Sequence, residues 1–423
     1  FASSMGSGSA SSATAWTDAV DFCFCGFSEV EALKLKSKLK LNKEFRLCAL
    51  ALVALACILG TSGPAASDEK DDPVPAMVAQ YNLEPLPEED AKYTVNLGYY
   101  NCDHMTAACI GKDSGIFKAL GMKVEITGNG KVPEAMSAGR MDMAYAGWTT
   151  TLRAVQVGTP LFIAAENHTG GAEYLVCSFN IKKPEDLLGK KIAAGGDPAN
   201  SMNWMEWTDQ LGIPNDIDKY ENFSMSDADA YFSMVAGKLD AFIACDPWGS
   251  MAEHEKTGWV MVRQNTDRKN GHGTCCKVCM NYNFARKYPK LASRMLLAHT
   301  LCVQYMYQHP YKAARIFAEN YNVPLEVGLM TLYKKLNEEG RTISWKLNRQ
   351  NMQNQLDTMR HYHVRDDINT VNLDDYIDLS YFEASGAIDF DRFIQEKVDP
   401  VFPTGMSYKD WRAKAVEVDG IVE

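Results

Sequence analysis

KYTVNLGYY at 92–100, followed by GIFKALGMKVEITGNGKVPEAMSAGRMDMAYAGWTTTLRAVQVGTPLFIAAE at 115–166, is the stretch that decides the fold. The first segment alternates apolar and polar residues with a period of two, as a strand with one buried face does. Met105 to Gly121 carries apolar residues at helical spacing and ends in glycine. MKVEITG, MDMAYAG (141–147) and LFIAAE (161–166) read as the next strands, with helical stretches at Pro133–Ala138 and Thr149–Val157 between them. Strand and helix in alternation predict an α/β fold whose sheet is mostly parallel.

A second series repeats the pattern. EYLVCS (173–178) and KKPEDLLGKKIAAGG lead to a helix near Ser201–Leu211, a helix at Asp227–Ala236, the strand LDAFIAC (239–245), a helix near Pro247–Thr257 and the strand WVMV. TCCKVCMNYNF (274–284) then reads as a strand returning to the first lobe, and the chain is helical onward to about Tyr362. The expected organisation is lobe 1 from 92–178 plus 275–389, lobe 2 from 179–274, and a C-terminal extension at 390–423. Two crossings, near Cys177–Asn180 and Arg263–Cys275, would make a hinge.

Ahead of the lobes the chain has a different character. Residues 1–67 read as leader and signal segment: Lys34, Lys36, Lys38, Lys40, Lys43 and Arg46 precede an apolar run from Leu47 to Leu59, and small residues follow at Gly60–Ser67. The run is shorter than the roughly 20 residues that span a bilayer. ALAC at 54–57 resembles a bacterial lipobox, which would put a lipid anchor on Cys57; cleavage near Ala65–Ser67 is the competing reading. Either places the mature protein in the periplasm or on the outer face of the cytoplasmic membrane. Residues 68–91 are acidic and proline-rich and read as a solvated linker.

The 423 residues are 46% hydrophobic and 23% charged, which suits a globular protein with room for two lobes. A formal net charge of −11 opposes nucleic acid or an anionic membrane as partner. Twelve cysteines, four of them in the leader, are irregularly spaced and predict no disulfide framework.

The 92–166 stretch, with KKPEDLLGKKIAAGGDPANSMNWMEW and VAGKLDAFIACDPWGSMAEHEKTG, resembles the substrate-binding proteins for nitrate, sulfonate and taurine. The order and spacing of these loose motifs carry the resemblance, over roughly Lys92–Asn322. It implies a two-lobed periplasmic binding protein-like fold of type II. It also implies a non-catalytic, monomeric receptor of an ABC importer, handing a small anionic or zwitterionic ligand to membrane permease and ATPase subunits. The segment from Phe390 has no counterpart in that family.

In such a fold the ligand lies between the lobes, where strands end and helix N-termini offer free N–H groups and partial positive charge. Position nominates Asn101, Asp103 and His104 after the first strand, Asn129 after the second, and Trp148, Thr149 and Thr150 after the third. Lobe 2 adds Asp197, Asn200 and Ser201, then Asp246 and Trp248. Thr149 or Thr150 can cap a helix and offer a hydroxyl to an oxyanion, while Trp148 walls the pocket or simply packs in the core. Asp246 and Trp248 would receive an amino or aromatic end of the ligand, or be a loop acid beside a core Trp.

Cys276-x-x-Cys279 has ligand spacing, with His272 close by, but one half-site is weak and strand alternation would put Cys275 and Cys279 on one face and Cys276 on the other. Packing is the expected role, with no metal, no cofactor and no catalytic residue. The alternatives are an enzyme of the thiamine pyrimidine-precursor synthase type, a binding protein for a pyrimidine-like vitamin precursor, or a lipid-anchored sensory or adhesion module.

Overall fold

Two series of alternating segments fold into two five-stranded sheets with one shared plan. The structure, a computed structural model, describes residues 72–422 apart from 101, 129–130, 199–200 and 267–272, so the expected leader and signal segment lies outside the described residues. The first sheet holds β1 (Thr94–Tyr99), β2 (Lys123–Gly128), β3 (Met143–Gly147) and β4 (Leu161–Thr169). The second holds β5 (Glu173–Ser178), β6 (Lys191–Ala193), β7 (Glu221–Asn222), β8 (Ala241–Cys245) and β9 (Gly258–Arg263), and β10 (Thr274–Asn281) returns to the first. The strand orders are β2-β1-β3-β10-β4 and β7-β6-β8-β5-β9.

Each sheet is mixed in the same way. Strands β1, β2 and β3 run parallel, as do β6, β7 and β8. β10 opposes both its neighbours β3 and β4, and β5 opposes β8 and β9. The reversed strands are the two that the chain enters from the other sheet. Each starts beside the cleft and runs away from it, whereas the others end there.

The first crossing lies at Gly170–Ala172, between β4 and β5, ahead of the expected Cys177–Asn180. EYLVCS pairs wholly within the second sheet, so the hinge precedes it. Gly170 takes a φ of +76°, open to glycine at no steric cost. The side chains of the second crossing grip the first: Asn265 Oδ1 accepts from Gly171 N at 3.0 Å, and Gln264 Oε1 from Ala172 N at 3.0 Å. A Cβ on Gly171 would stand 2.2 Å from the Gln264 side chain. Gly171→Ala is therefore expected to cost about 1–3 kcal/mol through overpacking, read by urea unfolding; an unchanged midpoint would show that the crossings are loosely packed.

The largest core joins β1, β10 and β4 to helix Ala107–Asp113 and to helix Pro289–Gln308, which is buried along most of its length. Two expected appendages belong to this core. In the predicted linker, Val74 and Met77 sit one helical turn apart and are buried, so residues 73–91 pack rather than float. In the C-terminal extension Phe390, Phe393, Phe402 and Trp411 enter the same core. Asp419 accepts from Tyr311 N at 2.9 Å and Lys312 N at 3.0 Å, satisfying the free N–H groups that open helix Pro310–Tyr321. Among the described residues no helix is long and apolar enough to cross a membrane.

Candidate binding cleft

Strand β3 ends at Gly147 and passes directly into helix α1 (Trp148–Gln156), so the first turn of α1 opens where the strand ends. Gly147, Trp148, Thr149 and Thr150 line a cavity of about 420 Å³. From the second lobe, α2 (Met202–Leu211) brings Ser201, Met202 and Asn203 to the same cavity. Ser201 caps α2, its hydroxyl accepting from Trp204 N at 3.4 Å. Two helix N-termini thus converge from different sheets, each presenting N–H groups that have no partner inside their helix. Trp148 is 2% exposed, and its buried indole Nε1 has no hydrogen-bond partner.

Between the helices, the cavity wall is made by Glu173 and Gln264 from the crossings, by Tyr100, Cys102 and His104 after β1, and by Cys275 and Cys276 at the start of β10. Helix α3 (Arg349–His361) closes one side with Gln355 and Met359. Glu173 accepts a hydrogen bond from Asn203. Burial pushes its carboxyl up to about 7, the Asn203 bond pulling the other way.

His104 and the cysteines form one electrostatic unit. His104 Nδ1 lies 2.7 Å from Asp103 Oδ1, and its Nε2 lies 3.3 Å from Cys102 Sγ and 3.6 Å from Cys275 Sγ. The hydrogen bond from Cys276 and the His104 ring hold the Cys275 thiol well below its usual range despite burial. Burial works against charge on His104, yet the surrounding Cys102, Cys275, Cys276 and Asp103 raise its pKa well above the ordinary value. The two shifts run in opposite senses, the Cys275 thiol toward losing its proton and the His104 ring toward keeping one.

Of the residues expected here, His104, Trp148, Thr149, Thr150 and Ser201 line the cavity. Asn101, Asn129 and Asn200 lie outside the described residues, as does His272. Asp197 lines a smaller neighbouring pocket that shares Glu173, Ser201 and Asn203 with the main one. Asp103 is 1% exposed and stands behind His104, between it and Lys335.

Asp246 and Trp248 do not line the cavity. The Asp246 carboxylate is fully buried, accepts from Ser250 N at 2.7 Å and Ser250 Oγ at 2.8 Å, and faces Lys334 at 3.5 Å. It serves the start of the helix Trp248–His254, and a cation is already beside it. Trp248 packs on Tyr231 and Phe232 within the second lobe. Among the described residues, the acid on the cavity wall is Glu173.

The cysteine assignment also changes. Strand alternation would separate Cys275 from Cys276, but β10 is bulged between Thr274 and Lys277, and the two sulfurs lie 3.5 Å apart. Cys279 is turned to the opposite face, 3.3 Å from Thr151 Oγ1. The eight cysteines of the body are free thiols.

A sequence model of the NMT1-like family matches residues 88–320, and no curated protein sequence matches the chain. The fold is that of two-lobed binding proteins of type II. The periplasmic aliphatic sulphonate binding protein SsuA from Escherichia coli is 18% identical at a TM-score of 0.55, covering 71% of this chain and 100% of that one. The periplasmic nitrate-binding protein NrtA from Synechocystis PCC 6803 is 14% identical at a TM-score of 0.50, covering 79% and 100%. The same fold carries an enzyme, the desulfurization enzyme DSZB, 12% identical at a TM-score of 0.53 over 69% and 98%. With the family match spanning more than half of its length, the chain belongs to the NMT1-like family.

Proposed function

We propose that the protein is an exported solute-binding receptor of an ABC importer, closing its two lobes on a small organic oxyanion for delivery to a permease and its ATPase. One observation carries this reading: the first turns of α1 and α2, one from each lobe, meet across a single cavity with the hydroxyls of Thr149, Thr150 and Ser201 beside them. Closure around a ligand would satisfy the free N–H groups of both helices at once. A cavity of about 420 Å³ is roomy for nitrate alone and favours an organic sulfonate. The relatives' periplasmic setting supports export, as does the basic-then-apolar order of residues 34–59.

Thermal-shift screening against nitrate, taurine, alkyl and aryl sulfonates, bicarbonate and pyrimidines tests the ligand class. At 100 times the dissociation constant a bound ligand stabilises by about 2.7 kcal/mol, and an alkyl sulfonate is expected to do so. Replacing Thr149 and Thr150 together by Val should weaken that ligand at least tenfold; unchanged affinity would remove α1 from the site.

A second reading, an enzyme using the same cleft, is favoured by the Cys275–His104 pair, since a thiol of lowered pKa 3.6 Å from an imidazole is the arrangement of an activated nucleophile. Recovery of the ligand unchanged after prolonged incubation with the protein would exclude it.

A further inference from the structure

We infer that Cys275, Cys276 and His104 form a binding site for one soft divalent metal ion of the zinc class at the wall of the cleft. Their donor atoms all lie within 4.8 Å of one another. Cys275 Sγ is 3.5 Å from Cys276 Sγ and 3.6 Å from His104 Nε2. Around a tetrahedral ion with metal–sulfur bonds of about 2.3 Å and metal–nitrogen bonds of about 2.0–2.1 Å, donors stand roughly 3.3–3.8 Å apart. The two spacings fit that polyhedron with little movement. The bulge in β10 is what makes this possible, because a regular strand would send the two sulfurs to opposite faces.

The surroundings of His104 match those of a ligating imidazole. Asp103 Oδ1, 2.7 Å from Nδ1, anchors the proton of that nitrogen, so that Nε2 is the nitrogen that gives up its proton to a metal and directs its lone pair at the sulfurs. Asp103 is itself fixed, its other oxygen lying 3.4 Å from Lys335 Nζ. A carboxylate–histidine pair of this kind fixes both the tautomer and the ring orientation of a metal ligand.

His168 supplies an independent observation. It is fully buried and stacks on His104 with ring centroids 5.0 Å apart. Neither of its ring nitrogens makes a well-formed hydrogen bond, and Cys275 is the sulfur beside it. Cys275 is therefore the sulfur that both imidazoles face.

Three protein ligands leave one tetrahedral position open, and His104, Cys275 and Cys276 all line the cavity. That is the arrangement of sites that keep a place for an exchangeable ligand. Cys102 Sγ lies 3.3 Å from His104 Nε2 on the same wall but outside the three-donor cluster. Binding needs no redox change: the protons of the two thiols and any proton on His104 Nε2 leave for solvent, and two metal–sulfur bonds and one metal–nitrogen bond form. The site stands apart from the anion reading, because metal can be titrated with no anion ligand present.

The test is a cobalt(II) titration of the full chain, reduced beforehand and freed of reductant, followed by zinc(II) competition. One equivalent of cobalt is expected to bind with a thiolate charge-transfer band and the visible absorption of tetrahedral coordination, both abolished by zinc. Cys275→Ser and Cys276→Ser should each remove the band and weaken binding at least 100-fold, while Cys279→Ser, on the other face, leaves both intact. Asp103→Asn should weaken binding 10–100-fold by releasing the ring. Circular dichroism of each metal-free variant shows that it folds. Cobalt spectra without thiolate charge transfer, binding undiminished in Cys275→Ser and Cys276→Ser, or a band lost only in Cys279→Ser would overturn the site.

Discussion

Replacing Lys335 by Met is expected to lower the free energy of unfolding by about 3–5 kcal/mol, because it strands buried carboxylates without their cation. Lys335 is fully buried. Its Nζ lies 2.8 Å from Glu339 Oε2, 3.4 Å from Asp103 Oδ2 and 2.9 Å from the Tyr174 hydroxyl. Tyr174 donates to Glu339 at 2.6 Å, and Asn265 Nδ2 does so at 3.0 Å. The network therefore joins the loop after β1, strand β5, the second crossing and the C-terminal helices. Methionine matches the aliphatic stem and leaves Glu339 with only the neutral donors Tyr174 and Asn265, and Asp103 with His104 alone. Urea unfolding of the variant measures the loss, and a loss below about 1 kcal/mol would mean that water reaches the cluster.

The acid limb of stability carries the same signature. Burial alone would raise the Glu339 carboxyl, but Lys335, Tyr174 and Asn265 outweigh it and hold it at about 2, below its ordinary 4.5. A depressed carboxyl stabilises the fold fully above its unfolded value and loses that contribution as pH falls from about 4.5 toward 2. In Lys335→Met this part of the acid dependence should flatten.

The order of elements was legible because each strand announces itself locally. LFIAAE and LDAFIAC are apolar runs bounded by turns, and GWTT marks a strand passing into a helix, which fixes the cavity side of α1 whatever the rest of the chain does. What stayed hidden depended on contacts distant in sequence. Asp246 looked like a cleft acid because it follows a strand, yet Lys334, almost ninety positions on, claims it. Glu173 passed unnoticed as the first residue of a strand, although the Gly170–Gly171 pair just before it signalled a tight crossing.

Cys275 and Cys276 could not be paired from alternation, since a bulge leaves no mark of its own in these residue types. The packing of Phe390 and Trp411 into the first-lobe core was equally invisible. Apolar spacing in a short helix shows that it has a buried face, and not which sheet receives it.

Affinity for a sulfonate without an amino group is expected to fall about tenfold for each pH unit above 7, and Glu173→Gln to abolish most of that fall. Glu173 is the carboxyl on the cavity wall, raised by burial from an ordinary 4.5 to about 7, with the Asp227 and Cys275 charges adding to the rise and Asn203 and His104 opposing it. Below 7 it is a neutral acid that can donate to a ligand oxygen. Above 7 it is an anion facing another anion in a site of low dielectric, and binding must take up a proton. Folding shares the sign: the native state holds this proton between 4.5 and 7 and the unfolded chain does not, so the group's contribution declines as pH rises through that interval. Calorimetric titration at pH 6, 7, 8 and 9 reads the slope. His104 titrates in the same cleft, and any dependence left in Glu173→Gln belongs to it or to the thiols. A taurine-like zwitterion reverses the expectation, since its ammonium group would prefer the ionised carboxylate and bind more tightly as pH rises. Opposite slopes for the two ligand classes would place Glu173 against the substituent of the ligand, and a flat profile for both would remove it from the site.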